Sequence, residues 1–224
     1  RKITISIILL CVYSHIGYSQ TFNWVGRLAS ANAFGTVIIN DLSTDASGNV
    51  YVTGQFIDIA DFDPGPAVFN LTPVSGYDIF IAKYTSTGAL IWAKQIGGGA
   101  NQFGVAIAVD AAGNVFCAGS FAGSADFDPG PGVFNLINPS NSVTDVYICK
   151  LDANGNFGWA KQVECAGNDQ CYDLSLDATG NIYITGYFTG TADFDPGPGA
   201  ATLISAASDI FICKLDGNGI FSWA

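Results

Sequence analysis

Six residues, Asp-Phe-Asp-Pro-Gly-Pro, occur three times in this chain, at 61–66, 126–131 and 193–198. They belong to a larger unit that also returns a tryptophan, at Trp24, Trp92, Trp159 and Trp223, so the chain is an array with a period of about 67 residues. A repeated unit of this kind buries its apolar face only by stacking on its neighbours. That requirement constrains the fold before any single residue is considered.

The middle copy is the clearest to trace. Apolar, β-branched and aromatic residues predict strands at 105–109, 115–121, 145–151 and 157–163, separated by Asp-Ala-Ala-Gly-Asn at 110–114 and Asp-Ala-Asn-Gly-Asn at 152–156. Gly and Asn at those turns supply the positive φ that short hairpins need. A long loop carrying residues 126–131 joins the second strand to the third. The other copies follow position by position: Asp45 and Asp177 open the first turns, and Asp78 and Asp209 open the third strands. Four antiparallel strands per repeat is the content of one propeller blade. The expected fold is therefore all-β, with β-propeller blades at roughly 35–96, 104–163 and 171–224, and an orphan outer strand at 22–27.

Composition agrees. The chain is 49% apolar and only 12% charged, which is enough apolar surface for a sizeable core and too little charge for a disordered chain. Residues 1–19 read as a signal peptide: Arg1 and Lys2 form the charged end, an apolar stretch follows, and Gly17 and Ser19 fit the small positions before cleavage. The apolar stretch is short and interrupted for a membrane span, and the bulky Leu10 before Cys11 argues against a lipoprotein site. The mature chain is expected to run from Gln20, secreted or at the cell surface, with no membrane insertion. The sequence breaks off at Ala224 inside a motif that earlier copies continue as Trp-Ala-Lys-Gln, so it reads as the N-terminal part of a longer propeller whose further blades pack on these.

Removal of Arg1 and Lys2 leaves six of the eight basic residues against 19 acidic ones, which excludes nucleic acid as a natural partner. His15, the single histidine, departs with the leader. The mature chain then has no Ser-His or Cys-His nucleophile pair and no histidine-containing metal site.

The run Asp-x-x-Gly-Asn-Val-Tyr-Val-Thr-Gly, followed by Asp-Ile-Phe-Ile-x-Lys and Trp-Ala-Lys, resembles the SBBP-type β-propeller repeat of secreted bacterial proteins over residues 22–224. The resemblance implies a propeller and an exported protein. It implies no reaction and places no catalytic residue on this chain. Similar proteins often end in a sorting domain for the type IX secretion route, and residues 22–224 hold none.

Several residue sets are candidates for chemistry. Asp-x-Asp pairs recur in every copy, whereas a glycosidase needs two differently tuned carboxyls at one place. No catalytic residue is therefore assigned; a carbohydrate-active hydrolase or lyase working through Asp side chains is the alternative reading. Asp41 and Asp173 share a first-strand position and are expected to be solvated or locally bonded. The tryptophans are expected to pack rather than to form a sugar platform. Lys83, Lys150 and Lys214 recur with the architecture and are expected to pair with Asp78, Asp145 and Asp209 or to lie solvated at edges.

Cys165 and Cys171 replace Gly98 and Gly104 of the preceding linker, and two cysteines gained together in an exported chain predict a disulfide. Cys117, Cys149 and Cys213 fall on strands and are expected to be buried thiols.

Asp61, Asp63, Asp126, Asp128, Asp193 and Asp195 are expected to ring one face, together with the 165–171 linker. In one reading each Asp accepts N–H groups of its own loop, Phe62, Phe127 and Phe194 anchor the loop, and Pro-Gly-Pro stiffens it. In the other, each loop offers oxygens to a hard cation such as Ca²⁺, although the spacing lacks the third acid and the distal Glu of an EF-hand. No other cofactor is expected. The function read from all this is a non-catalytic secreted or cell-surface scaffold that contacts a protein or a glycan.

Overall fold

The computed structural model describes residues 25–30 and 35–224. The leader at 1–19 and residues 22–24 of the expected outer strand lie outside the described residues, and residues 25–28 are irregular.

Three four-stranded antiparallel units follow one another, and the protein is built of β-propeller blades. The first contains β2 (Thr36–Thr44), β3 (Val50–Ile57), β6 (Asp78–Tyr84) and β7 (Leu90–Gly98). The second contains β8 (Gln102–Val109), β9 (Val115–Phe121), β12 (Asp145–Leu151) and β13 (Phe157–Cys165). The third contains β14 (Gln170–Leu176), β15 (Ile182–Asp193), β16 (Thr202–Leu215) and β17 (Phe221–Trp223). Short ribbons, β4 (Ala60–Asp61) with β5 (Asn70–Leu71) and β10 (Ser124–Asp126) with β11 (Asn135–Ile137), carry the long loops of the first two blades. In the third blade that ribbon is continuous with β15 and β16.

The turns form for a local reason. Asp110 Oδ1 accepts the N–H groups of Ala112 and Asn114, both at 2.9 Å, Asp110 Oδ2 accepts from Asn114 Nδ2 at 2.7 Å, and Gly113 takes φ 83°. Asp45, Asp152 and Asp177 repeat the same bonds. Each first strand also carries a bulge, at Asn40, Val105 and Tyr172, which pushes a carbonyl of that strand toward the second strand. A Cβ at Gly54, Gly119 or Gly186 would overlap the carbonyl oxygen of Ile38, Phe103 or Gln170. The Gly that ends each second-strand motif is required by that approach.

The core lies between blades. Along β12, Val146 and Ile148 pack with Leu174, Ile184 and Phe211 of the third blade, while Tyr147 and Cys149 pack with Ile79 and Ile81 of the first. Alternation along a strand sends successive side chains to opposite neighbours. All four are at most 1% exposed. In the third blade the residues at the Val146 and Ile148 positions, Ile210 and Ile212, are 80% and 54% exposed. β1 (Ala29–Ser30) pairs with β4, Ala29 opposite Asp61, in the register by which Gly97 stands opposite Asp126 and Glu164 opposite Asp193.

Candidate functional site

The three Asp-Phe-Asp-Pro-Gly-Pro loops have one design. Asp61 Oδ1 accepts the N–H groups of Asp63 at 3.0 Å and Phe69 at 2.8 Å, and Asp63 Oδ1 accepts that of Gly65 at 2.7 Å. Asp126 and Asp128 bind the N–H groups of Asp128, Phe134 and Gly130, and Asp193 and Asp195 those of Asp195, Ala201 and Gly197, all at 2.8–3.1 Å. Phe62, Phe127 and Phe194 are fully buried, each against two aromatic rings of its own blade. One oxygen of each of the six carboxylates is thus engaged in bracing its own loop.

Each loop begins at the end of the blade where the linkers run, Asp126 opposite Gly97 and Asp193 opposite Glu164. The loops fold down the outside of the propeller, into the wedge between successive outer strands. Asp126 pairs with β7 of the preceding blade, and Phe134 stacks on Phe157 of its own, with ring centroids 4.9 Å apart. In the first blade Tyr84 Oη donates to the Phe62 carbonyl at 3.0 Å, and a cleft is lined by Val25, Asp63, Pro64, Thr87 and Leu90. The β6–β7 turn there lies at the opposite end of the blade from the point where the loop leaves β3. The wedge widens outward and exposes more apolar surface than the strands alone can cover, and the loops fill it.

The recurring lysines depart from the expected acid pairing. Lys83, Lys150 and Lys214 place their ammonium groups 4.9, 5.0 and 5.2 Å from the ring centroids of Tyr51, Phe116 and Tyr183. Lys83 and Lys150 also donate to the carbonyls of Ala153 and Gly217 in the next blade's hairpin. The acids that open the third strands lie at the other end of those strands, out of reach. Trp92, Trp159 and Trp223 meet the same three rings edge-on, as packing residues, and Trp92 Nε1 donates to Ala153 O at 3.3 Å. Asp41 is locally bonded, to the N–H of Leu42 and across the blade interface to that of Ile107, both at 2.8 Å.

The expected disulfide is not formed. Cys165 and Cys171 are both free thiols, and they serve different surroundings. Cys171 turns into the core between the second and third blades, with its thiol pushed up to about 12 by burial. Cys165, half-buried at the end of β13, turns toward Asp145 and Asp169. Cys117, Cys149 and Cys213 are fully buried free thiols.

Asp145 and Asp169 are only 2% and 0% exposed. Asp145 Oδ2 accepts from Gln162 Nε2 at 2.6 Å and Asp169 Oδ1 from the Thr189 N–H at 2.8 Å. Their second oxygens, Asp145 Oδ1 and Asp169 Oδ2, are buried without a hydrogen bond of ordinary geometry, the nearest donors being the Cys165 N–H beside Asp145 and the Cys165 thiol beside Asp169. Burial pushes the Asp145 carboxyl up to about 6, against the opposing bond from Gln162 and with a smaller push from the Asp169 charge. Burial likewise raises Asp169. Sequence reasoning treated Asp145 as a lysine partner and passed over Asp169. The available signal was that Asp169 replaces the Gln102 of the first linker.

Two segments, residues 91–120 and 158–195, match the model of the repeat family described as SBBP, beta-propeller repeat. The chain is 28% identical over 209 residues to the uncharacterized WD repeat-containing protein L264 of Acanthamoeba polyphaga mimivirus, covering 81% of this chain and 15% of that protein. It is 28% identical over 200 residues to the regulatory protein FlaEY of Caulobacter vibrioides, covering 87% of this chain and 20% of that protein. The chain thus spans no more than a fifth of the length of these relatives.

Proposed function

We propose that this protein is a non-catalytic propeller scaffold, secreted or held at the cell surface, whose braced outer loops contact a partner protein. The observation that carries this reading is the division of labour within the loops. The acids spend oxygens on their own backbone, while Val68 and Val133, at one repeat position in adjacent blades, are 69% and 72% exposed. Apolar side chains fixed on stiff loops bind with little ordering cost. Relatives named as repeat and regulatory proteins support an interaction role. Ile210 and Ile212 are suited to being covered by a further blade, as Val146 and Ile148 are by the third.

A hydrolase needs two unlike carboxyls that a substrate can reach. Asp145 and Asp169, two carboxyls in unlike surroundings, are 2% and 0% exposed, out of reach of a glycan chain. The test uses surface cross-linking of the tagged full chain alongside Val68→Asp/Val133→Asp. The expected outcome is a discrete protein adduct that the double variant loses at unchanged melting temperature. Loss of polysaccharide retention in the double variant instead would turn the reading to a glycan. Turnover of generic glycoside or ester substrates, abolished by one Asp substitution, would overturn it.

A further inference from the structure

The corner where β12 begins and β13 ends gathers three groups that the scaffold reading does not use. One ligand atom each from Asp145, Cys165 and Asp169 lies within 4.8 Å of the others. We infer that this corner is a metal site, in which Asp145, Cys165 and Asp169 bind a single zinc-class divalent cation and pin the third blade to the second.

Three observations carry the inference. First, the two carboxylates are buried, and each keeps an oxygen without a hydrogen bond of ordinary geometry, Asp145 Oδ1 and Asp169 Oδ2. Unpaired buried carboxylate oxygens are expensive, and a cation shared between them removes that cost. Second, the other oxygens are held, by Gln162 Nε2 on Asp145 and by the Thr189 N–H on Asp169, so both carboxylates are oriented in the way that outer hydrogen bonds orient metal ligands. Third, the remaining ligand is sulfur. A thiolate with two carboxylates suits zinc or cobalt, whereas calcium wants six to eight oxygens.

Cys165 is partly exposed and gives the cation its way in, and water completes the coordination on that side. On binding, the Cys165 thiol gives its proton to solvent and its sulfur forms the metal bond. The consequence is structural. Asp145 opens the third strand of one blade, Cys165 ends its outer strand, and Asp169 immediately precedes the first strand of the next. A cation here ties those three points together, at the linker where the sequence led to a disulfide.

The first linker is an internal control. Its corresponding residues are Asp78, Gly98 and Gln102, which offer one carboxylate and no sulfur. The experiment is a titration of the reduced full chain with cobalt(II), read by absorbance. Wild type is expected to take up one equivalent, with a sulfur-to-cobalt charge-transfer band in the near ultraviolet and intensified visible bands, both bleached by one equivalent of zinc. Cys165→Ser should lose the ultraviolet band. Asp169→Gln, which copies Gln102, should melt in chelator at or above the wild-type temperature but lose the rise that zinc gives wild type; Asp145→Asn serves the same purpose if that variant fails to fold. The absence of an ultraviolet band in wild type, its survival in Cys165→Ser, or a zinc-induced rise kept in both aspartate variants would overturn the assignment.

Discussion

Residues 98–104 and 165–171 join successive blades over the same number of positions, with several backbone hydrogen bonds in common and different side-chain chemistry. In the first linker the Gln102 N–H donates to the Tyr77 carbonyl at 2.8 Å and Asn101 Oδ1 accepts the Tyr77 N–H at 3.1 Å. In the second the Asp169 N–H donates to the Thr144 carbonyl at 2.9 Å and Asn168 Oδ1 accepts the Thr144 N–H at 3.1 Å. The path of the chain is thus held by peptide groups and an asparagine common to both. What differs is the side chain delivered beside the acid that opens the third strand: an amide beside Asp78, a second carboxylate beside Asp145. The repeat fixes a place, and one substitution at that place changes a joint with one buried carboxylate into a joint with two.

The largest effect is expected from forcing the second linker's cysteine onto the first. A Cβ at Gly98 would overlap the Ser124 carbonyl and crowd the Ala125 Cα, both backbone atoms that cannot swing aside. Gly98→Cys should cost about 2–3 kcal/mol, on the scale of overpacking a closed site. A denaturant midpoint equal to wild type would show that this linker yields, and that the difference between the joints is looser than drawn here.

Next comes removal of the charge that distinguishes the second linker. In chelator at neutral pH, Asp169→Gln should raise stability by about 1–2 kcal/mol, because an amide leaves one buried oxygen without its burden of charge. Chemical unfolding of both proteins measures it. A loss of similar size would mean that the Thr189 bond to Asp169 outweighs the repulsion from Asp145.

Asp78 provides the matching experiment in the first linker. Burial raises its carboxyl above the ordinary value, ahead of the opposing bonds from Val74, Gln95 and the Gly98 N–H. The folded state therefore prefers the protonated acid. Its contribution is complete below the ordinary carboxylate range and is lost as pH rises through the raised folded value. Asp78→Asn should accordingly stabilise by about 1 kcal/mol at pH 7 and by nothing at pH 3, because the amide removes the buried charge. Parallel pH–stability curves that keep the same gap at both ends would refute this account.

The smallest effect concerns a feature common to the blades on either side. Lys83→Met and Lys150→Met each remove an ammonium from an aromatic face and a bond to the next blade's hairpin, and each should cost about 0.5–1 kcal/mol. Because both lysines do the same work, the two losses should agree. A much greater loss for Lys150 would show that the second joint depends on more than its acid corner.

The blades were legible in the sequence because their signals are local. Strands at 115–121 and 145–151 were bounded to the residue by Val115, Phe121, Asp145 and Leu151, since the Asp-x-x-Gly-Asn turns close on themselves through Asp Oδ1 and a positive-φ glycine. The bracing bonds of Asp61, Asp126 and Asp193 were legible for the same reason. The course of the loops was not. A strand count gives the end of the blade where they begin, but the wedge between outer strands draws Phe62 and Phe127 down and inward, and that wedge exists only once blades are stacked. The lysines were misassigned because an acid in the same strand suggests a partner, yet Lys150 and Asp145 lie at opposite ends of a strand too rigid to bring them together.

By itself the sequence determined the repeat, the number of strands in it, the turns that close them and the residues that face inward, all of which depend on neighbours a few positions apart. Only the tertiary structure decided which distant side chains meet. It turned Cys165 away from Cys171 and toward two acids, one from the start of β12 and one from beyond the end of β13. The physical reason is the same in each case: period and propensity act along the chain, whereas the meeting of Asp145, Cys165 and Asp169 depends on the pairing of β12 with β13 and on the bond that ties the linker to Thr144.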